Sequence, residues 1–426
     1  MATDDIYNNK KRYVTFLRSL DEYCQKPKPG SRRKFWIKNP TNKAYFVQLS
    51  RLFEAKDISF VRRLRLFQTL KLICHATNKD LKDCTRDDIN KIVGFMHTRY
   101  KSPKSKRDFI LDLKYIWKSL FPVVDERGLV DEAQTPYVVR HLKAKIDKSK
   151  ERLRNDKLTF EELQKIVTYF SRDPRIQAFI MLAFESLGRP QEILYLKLKD
   201  VELYDNFAKL WISEHGKEGV GLLQCIDSYP YLIRWLNQHP LRGNPNAFLF
   251  ITLEGKTKFN QLKPKNINKK LRQACEALGI PKQITCYSLK RNGVTFRRLN
   301  GESDVEIQHA ARWTSSRQLK TYDLTEQEEA LKIRLIRKGL LEPDKAHAQY
   351  QPKTKTCLFC GAIAGFTDEF CPQCKRPLDR KKLLELEKKR ELMILNQFMQ
   401  HEPIQRLFKL VYKLQKKMAE LENPKS

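Results

Sequence analysis

The amino-acid sequence predicts a multidomain protein: an all-helical domain, a mixed α+β domain with few strands, a small metal-bound ribbon and a C-terminal amphipathic helix. Three observations support this fold class. Apolar residues recur at helical spacing from Ala44 to Phe121. Helical and strand patterns are mixed from Leu158 to Leu340. Four closely spaced cysteines and a final amphipathic segment then follow.

The composition indicates a polyanionic partner. The 83 lysine and arginine residues exceed the 50 acidic residues, which gives a formal charge of +33. A ribosomal or chromatin-like binder would share this charge, so charge alone leaves the class open. No stretch approaches the roughly 20 apolar residues that cross a bilayer, and the N-terminus lacks a secretory pattern. We therefore expect a soluble, cytoplasmic protein without a membrane partner.

The first predicted segments are a basic N-terminal arm at residues 1–40, with one short helix, and a helical domain at residues 41–145. Thr85 has the form of a helix N-cap. Ser102 and Pro103 begin a further helix whose cationic end suits a phosphate backbone. The cations predicted to contact DNA there are Lys101, Lys104, Lys106 and Arg107.

A basic linker is predicted at residues 146–157, within an almost continuously charged stretch from Arg140 to Lys157. Such a segment can lie along DNA, and a solvated helix is the alternative. The cations assigned to DNA here are Lys143, Lys145, Lys148 and Lys150.

The second domain is predicted at residues 158–340. Thr159 and Glu162 form a capping box ahead of an apolar helical stripe. The nearly all-apolar run 176–187 predicts a central helix that Gly188 ends, and Pro190 suits the first turn of the next helix. Arg189 is thereby placed at a helix junction.

A β-hairpin is predicted within this domain. Residues 207–213 and 220–226 have strand character, and the short polar turn between them places Lys217 at the tip of the hairpin. Tyr322 closes a run that begins at Arg312. A phenol that follows several basic groups has what attack on a phosphodiester requires, because it combines an oxygen nucleophile with cations that neutralise the phosphate.

A zinc ribbon is predicted at residues 341–380. Two Cys-x2-Cys pairs, separated by ten residues, can grip one tetrahedral ion; redox chemistry is the alternative. Because cysteine fills all four positions, the metal is expected to be structural, and we expect Cys357→Ser to unfold the tail alone. The four ligands are Cys357, Cys360, Cys371 and Cys374.

The C-terminal segment 381–426 is predicted to be an amphipathic helix. Apolar residues keep a/d spacing from Ile404 to Leu421, after Pro403. A short coiled coil or partner-docking helix and packing onto the same chain are both compatible with this pattern, which is too short to hold a dimer alone.

The ordered motifs resemble the tyrosine recombinase (phage integrase) family. They are Gly188-Arg189-Pro190-Gln191-Glu192-Ile193-Leu194-Tyr195-Leu196, Lys217, Tyr287-Ser288-Leu289-Lys290, Trp313 and, nine residues on, Tyr322. The cysteine-bearing tail is most similar to archaeal integrases with a C-terminal zinc ribbon. The resemblance implies a SAM-like core-binding domain followed by the recombinase catalytic domain.

The resemblance also implies roles. Arg189 would clamp the scissile phosphate through its planar fork. Lys217 would protonate the departing 5′ oxygen. Trp313 would donate its indole N–H to the phosphate or pack beneath it, and Tyr322 would form a 3′-phosphotyrosine. No cofactor is expected for this chemistry, and no small molecule is its substrate.

Two positions depart from the family pattern. The usual His-x-x-Arg appears as Tyr287 to Lys290, so a tyrosine replaces histidine and a lysine replaces the second arginine. Lysine keeps the charge but loses the bidentate grip. Arg291 could supply the fork by a one-residue shift; Lys290 is favoured because Leu289 then fills the customary apolar position.

The resemblance predicts an integrase that acts on double-stranded DNA as a homo-tetramer on two synapsed segments. Integration or excision of a mobile element is the expected role, ahead of chromosome dimer resolution. A catalytically impaired recombinase fold that only binds DNA is the rival hypothesis. A zinc-ribbon transcription or RNA-processing factor ranks last, because it leaves Arg189, Lys217 and Tyr322 without a shared purpose.

Overall fold

The computed structural model describes residues 7–131, 133–145, 155–212, 219–342 and 353–422, except for the side chains of residues 398–400 and 419–422. The chain divides into two compact units, one up to residue 155 and one from residue 156 onward. In the described part of the chain, no helix has the length and apolar character needed to span a membrane.

The first unit is helical. Its α-helices are α1 (Asn9–Arg18), α2 (Leu20–Tyr23), α3 (Lys43–Ala55), α4 (Phe60–Ala76), α5 (Arg86–Arg99), α6 (Pro103–Leu120) and α7 (Tyr137–Arg140). The predicted cap of α5 is present, since the Thr85 hydroxyl accepts from the Asp88 N–H and the Asp88 carboxylate accepts from the Thr85 N–H. Helix α6 begins at Pro103, as the sequence predicts.

Residues 9–37 contribute apolar side chains to the core of this unit, so the prediction of a basic arm at residues 1–40 is wrong for this stretch. Tyr13, Phe16 and Ile37 are buried in one cluster with the residues of α3 and α4. The Tyr13 ring stacks on Phe67 at 5.2 Å between centroids, and its hydroxyl donates to Ser50 at 2.8 Å. The high density of basic residues hid an apolar stripe at helical spacing.

The second unit is mixed α+β. Its α-helices are α8 (Phe160–Tyr169), α9 (Pro174–Glu185), α10 (Pro190–Tyr195), α11 (Tyr229–Asn237), α12 (Pro264–Ala277), α13 (Cys286–Leu299), α14 (Asp304–Ala311), α15 (Leu319–Tyr322), α16 (Gln327–Arg337), α17 (Arg380–Gln400) and α18 (Glu402–Glu422). Its strands are β1 (Val201–Leu203), β2 (Ala208–Ile212), β3 (Gly221–Cys225), β4 (Lys355–Thr356) and β5 (Ile363–Ala364).

A three-stranded antiparallel sheet runs in the order β1-β2-β3, and Leu210 pairs with Val201 on one side and Leu223 on the other. Strands β2 and β3 lie where the sequence predicts the hairpin, whereas β1 is an addition. Its three residues are too few to show a periodic pattern.

Helix α9 forms the centre of the unit, since its residues from Arg175 to Glu185 are all buried. Helix α13 packs closely against it, with the rings of Phe184 and Phe296 edge to face at 5.1 Å. Gly293 makes this approach possible, because a Cβ there would collide with the carbonyl of Phe184.

The α9–α10 junction differs from the prediction in one detail. Helix α9 ends at Glu185, and Leu187 rather than Gly188 takes the left-handed conformation, at φ 53°. Gly188 instead allows close packing, because a Cβ at this position would lie only 3.0 Å from the Ile193 side chain and 3.1 Å from that of Leu223. Arg189 is the N-cap of α10 and Pro190 its first residue, as predicted.

The cysteine-bearing segment is docked on α11. Phe366 is buried in the main core of the unit. The hydroxyls of Tyr231 and Thr367 lie 2.8 Å apart, and Arg234 pairs with Asp368 at 2.5 Å. Gly365 meets the hydroxyl end of the Tyr231 ring, where a Cβ would not fit.

The C-terminal segment is two helices separated by His401, where the sequence predicts one. Pro403 at the second position of α18 explains the break, because proline suits only a helix start. The a/d stripe lies in α18, and its described side chains, such as Leu407, Leu414 and Met418, are largely exposed.

Candidate active site

Arg189 is held by Glu192, one turn further along the chain. The Arg189 N–H donates to Glu192 Oε2 at 3.1 Å, and its Nη1 donates to Oε1 at 3.3 Å. The exposed fractions are 4% for Arg189 and 2% for Glu192. Because one buried carboxylate binds both the backbone N–H and a guanidinium nitrogen of Arg189, the side chain has a restricted orientation. Sequence reasoning gave Glu192 no role, although its i+3 spacing from Arg189 was visible.

Lys290 lies beside Tyr322. Its Nζ is 5.0 Å from the centre of the Tyr322 ring and 5.2 Å from that of Trp313. The residue is only 1% exposed, so an ammonium group is placed in a largely dry environment.

Arg291 is engaged elsewhere. Its Nη2 binds the carboxylate of Asp156 and donates to the Ser288 hydroxyl at 3.2 Å. The neighbouring Asn292 donates to the Asp156 carbonyl at 2.7 Å, which fastens the start of the unit to α13. Of the two alternatives for the second cation, the structure brings Lys290, and not Arg291, to the Tyr322 ring.

Trp313 and Tyr322 stack on each other, with ring centroids 5.2 Å apart and an interplanar angle of 26°. Trp313 is buried, and its indole N–H has no hydrogen-bond partner among the described residues. A buried N–H donor without an acceptor costs free energy, which a bound anion would recover. Leu319 of α15 packs in the same small cluster.

The backbone after Tyr322 is anchored to α13. The Leu324 N–H donates to Thr295 Oγ1 at 2.9 Å, and Asp323 pairs with Arg298 at 3.2 Å. These contacts hold the short helix α15, and with it the phenol, against the helix that carries Lys290.

Tyr287 and Lys217 are the two remaining predicted residues. Tyr287 lies in the first turn of α13 and is 40% exposed. Lys217 lies outside the described residues; the structure shows only its flanks, where Ile212 pairs with Gly221.

The cations predicted to contact DNA are mostly accessible. Lys101 and Lys104 are exposed, and Lys106 and Arg107, in the first turns of α6, are half-buried. Lys143 and Lys145 are also exposed, whereas Lys148 and Lys150 lie outside the described residues.

The four predicted metal ligands converge. The sulfurs of Cys357, Cys360, Cys371 and Cys374 all lie within 4.8 Å of one another. The Cys357–Cys374 and Cys360–Cys371 pairs are 3.6 and 3.5 Å apart, close to the roughly 3.8 Å edge of a tetrahedron with Zn–S bonds of about 2.3 Å. The donor set therefore fits zinc.

Two similar turns form the cysteine cluster. The residue after each pair, Gly361 or Lys375, has a positive φ of 69° or 63°. Backbone N–H groups of Phe359 and Cys360 lower the pKa of the Cys357 thiol to about 6, which favours the thiolate that a metal binds.

Residues 156–329 match the Phage integrase family, so this part of the chain is a phage integrase (tyrosine recombinase) family domain. No curated protein gives a significant sequence match.

Solved structures show the same fold. The chain is similar to the XerH site-specific recombinase bound to difH substrate in a post-cleavage complex, with a TM-score of 0.51, 15% identity and coverage of 79% of this chain and 98% of that one. For the Tn1549 transposon integrase in complex with transposon right end DNA, the TM-score is 0.52 and the identity 11%, with coverage of 69% of this chain and 98% of that one. For a lambda integrase tetramer bound to a Holliday junction, the TM-score is 0.50 and the identity 16%, with coverage of 66% of this chain and 76% of that one. At these identities the likeness establishes the tyrosine recombinase fold alone.

Proposed function

We propose that this protein is a site-specific DNA recombinase that cleaves and rejoins DNA strands through a 3′-phosphotyrosine at Tyr322. The observation that carries the proposal is the mutual contact of three groups: the Lys290 ammonium lies 5.0 Å from the Tyr322 ring and 5.2 Å from the Trp313 ring, the two rings stack, and the Trp313 N–H has no partner among the described residues. A phenol, a cation and a free buried donor meet the needs of phosphoryl transfer.

In this mechanism the Tyr322 oxygen forms a bond to phosphorus and the bond to the 5′ oxygen breaks. Arg189, oriented by Glu192, grips two non-bridging oxygens, and Trp313 donates its N–H to one of them. Lys217 protonates the leaving 5′ oxygen, and the phenolic proton passes to solvent. Reversal by a 5′ hydroxyl reseals the strand without an external energy source.

Zinc has a structural role in this proposal. Four cysteine ligands leave no open coordination position for substrate, and the bound ion would hold the two turns of the ribbon together. No cofactor takes part in strand cleavage.

The proposed partners are double-stranded DNA and three further copies of the chain. The DNA complexes of the XerH recombinase, the Tn1549 integrase and the lambda integrase tetramer support this assignment. The charge of +33, together with exposed cations such as Lys101 and Lys104, favours a polyanion. The role would be cytoplasmic integration or excision of a mobile element, and the cysteine-bearing tail is the feature shared with archaeal integrases.

A second candidate is a DNA-binding protein with an impaired recombinase site. The departures at Tyr287 and Lys290 favour it, because the first is well exposed and the second lacks the fork of an arginine. Both candidates predict strong, salt-dependent DNA binding.

A trapping experiment separates them. Wild-type protein and Tyr322→Phe are incubated with nicked duplexes tiled from the DNA flanking the gene, where a released oligonucleotide prevents religation. We expect a denaturant-resistant, protease-sensitive adduct that the Phe variant lacks. Tight binding of the same duplexes by both proteins, with no adduct, would favour the second candidate.

A further inference from the structure

Arg312 occupies an unusual backbone position directly before Trp313. It caps the C-terminus of α14 in the left-handed conformation, at φ 57° and ψ 39°. Glycine suits this position best, since any residue with a Cβ is strained there. Strain of this kind persists where the side chain has a use in the folded protein.

The Arg312 side chain is nine-tenths buried and makes two directed contacts. Its Nη2 donates to Glu192 Oε2 at 2.7 Å, and its Nη1 donates to the carbonyl of Gly219 at 3.1 Å. Gly221 at the start of β3 leaves room for it, because a Cβ there would lie 2.5 Å from Arg312 Cδ. The side chain thus links the Trp313 turn, the start of α10 and the approach to β3.

Glu192 is shared between two arginines. Its Oε1 accepts from the Arg189 side chain, while its Oε2 accepts from the Arg189 backbone and from Arg312. A carboxylate bound by Arg312 has fewer ways to rotate, so the second arginine fixes the group that orients the first. The sequence alone marks Arg312 only as the start of the run that Tyr322 closes.

We propose that Arg312 is a positioning residue for the phosphate clamp: through Glu192 it holds Arg189 in the orientation that grips the scissile phosphate. The inference rests on the proposed recombinase function. The orientation of Arg189 matters more here because Lys290 replaces the second arginine usual in this family, and Arg291 is bound to Asp156. The bidentate grip on the phosphate then depends on Arg189, so its guanidinium has to be fixed in place.

The test uses Arg312→Gly in the full-length, metal-loaded protein, because glycine relieves the backbone strain and the variant should fold. We expect the rate of Tyr322 adduct formation on a nicked duplex to fall by about 10-fold to 100-fold, while the dissociation constant for the same DNA changes less than about threefold. Arg312→Lys, which can contact Glu192 without the fork, should recover part of the rate. Asp57→Gly, at an exposed site with φ 44°, is the matched control for glycine at a left-handed position and should keep the wild-type rate.

A double-mutant cycle distinguishes a positioning role of Arg312 from a purely structural one. If Arg312 acts through Arg189, then Arg189→Lys with Arg312→Gly should be no more than about threefold slower than Arg189→Lys alone. Multiplicative losses, or an Arg312→Gly rate within about twofold of wild type, would overturn the inference and leave the recombinase function intact. A wild-type protein that forms no adduct on any duplex would overturn the proposed function, and the inference with it.

Discussion

Replacing Phe366 with alanine tests whether the cysteine ribbon stabilises the unit that carries Tyr322. Phe366 is 7% exposed, and its ring lies 5.5 Å from that of Phe160 and 6.3 Å from that of Tyr231. Removal of a buried phenylalanine side chain costs about 3–5 kcal/mol. Since each kcal/mol shifts the melting temperature of a domain this large by about 2–4 °C, we expect the transition of the second unit to fall by about 6 °C or more.

Differential scanning calorimetry and circular dichroism follow this transition. Phe359→Ala is the matched control, because this ring belongs to the same ribbon but is 44% exposed. We expect the control to lower the melting temperature by no more than about 2 °C. Equal shifts for the two variants would refute the reasoning, since the docked face of the ribbon would then contribute nothing.

The same packing changes the expectation for the metal site. The sequence predicts that Cys357→Ser unfolds the tail alone, but Phe366 packs in the core of the second unit and Asp368 pairs with Arg234 of α11. We therefore expect metal removal to lower the main transition of the second unit. A separate ribbon transition, with the main one unmoved, would restore the earlier expectation.

Three further predictions follow from individual side chains. Burial, together with the neighbouring carboxylate of Glu185, raises the pKa of Asp227 to about 7. The folded state therefore loses stability as the pH rises from about 4 to 7. Asp227→Asn should raise the melting temperature at pH 8 and leave it unchanged near pH 4. Lys290→Met should slow adduct formation by about 100-fold or more at unchanged DNA affinity, whereas Arg291→Met should mainly lower the melting temperature; the reverse pattern would assign the second cation to Arg291. Lys104→Ala should reduce the slope of log K against log salt in a DNA-binding titration by about 0.9, and Lys91→Ala, at an exposed site on another helix, should not.

Local signals in the sequence predicted much of the helical framework. The capping boxes at Thr85 and Thr159 are present, because a side chain three residues away satisfies each free backbone N–H. The central helix α9 follows from its unbroken apolar composition. The four cysteines meet because two short turns suffice to bring each pair together.

The errors concern contacts between distant parts of the chain. Residues 9–37 look like a basic arm until Tyr13 is seen to stack on Phe67, 54 positions away in the sequence. Docking of the ribbon depends on Gly365 meeting Tyr231, and neither residue marks this contact locally. Charge counts and hydrophobic periodicity describe one segment of the sequence at a time, so they cannot show which two segments are in contact in the fold.

The site was predicted in part for the same reason. The order of the motifs pointed to Arg189, Lys290, Trp313 and Tyr322, and the last three lie together in the structure. The link between Glu192 and Arg312 spans 120 positions. No spacing rule connects residues so far apart, because only the fold of α10, β3 and α14 brings them into contact.

The most direct test of the central claim is to identify the residue that becomes attached to DNA. The trapped adduct is digested with protease and nuclease, and the nucleotide-bearing peptide is sequenced by mass spectrometry. We predict a peptide that contains Tyr322, joined to the DNA through a 3′-phosphate. A nucleotide on any other residue, or on the 5′ end of the cleaved strand, would contradict the account.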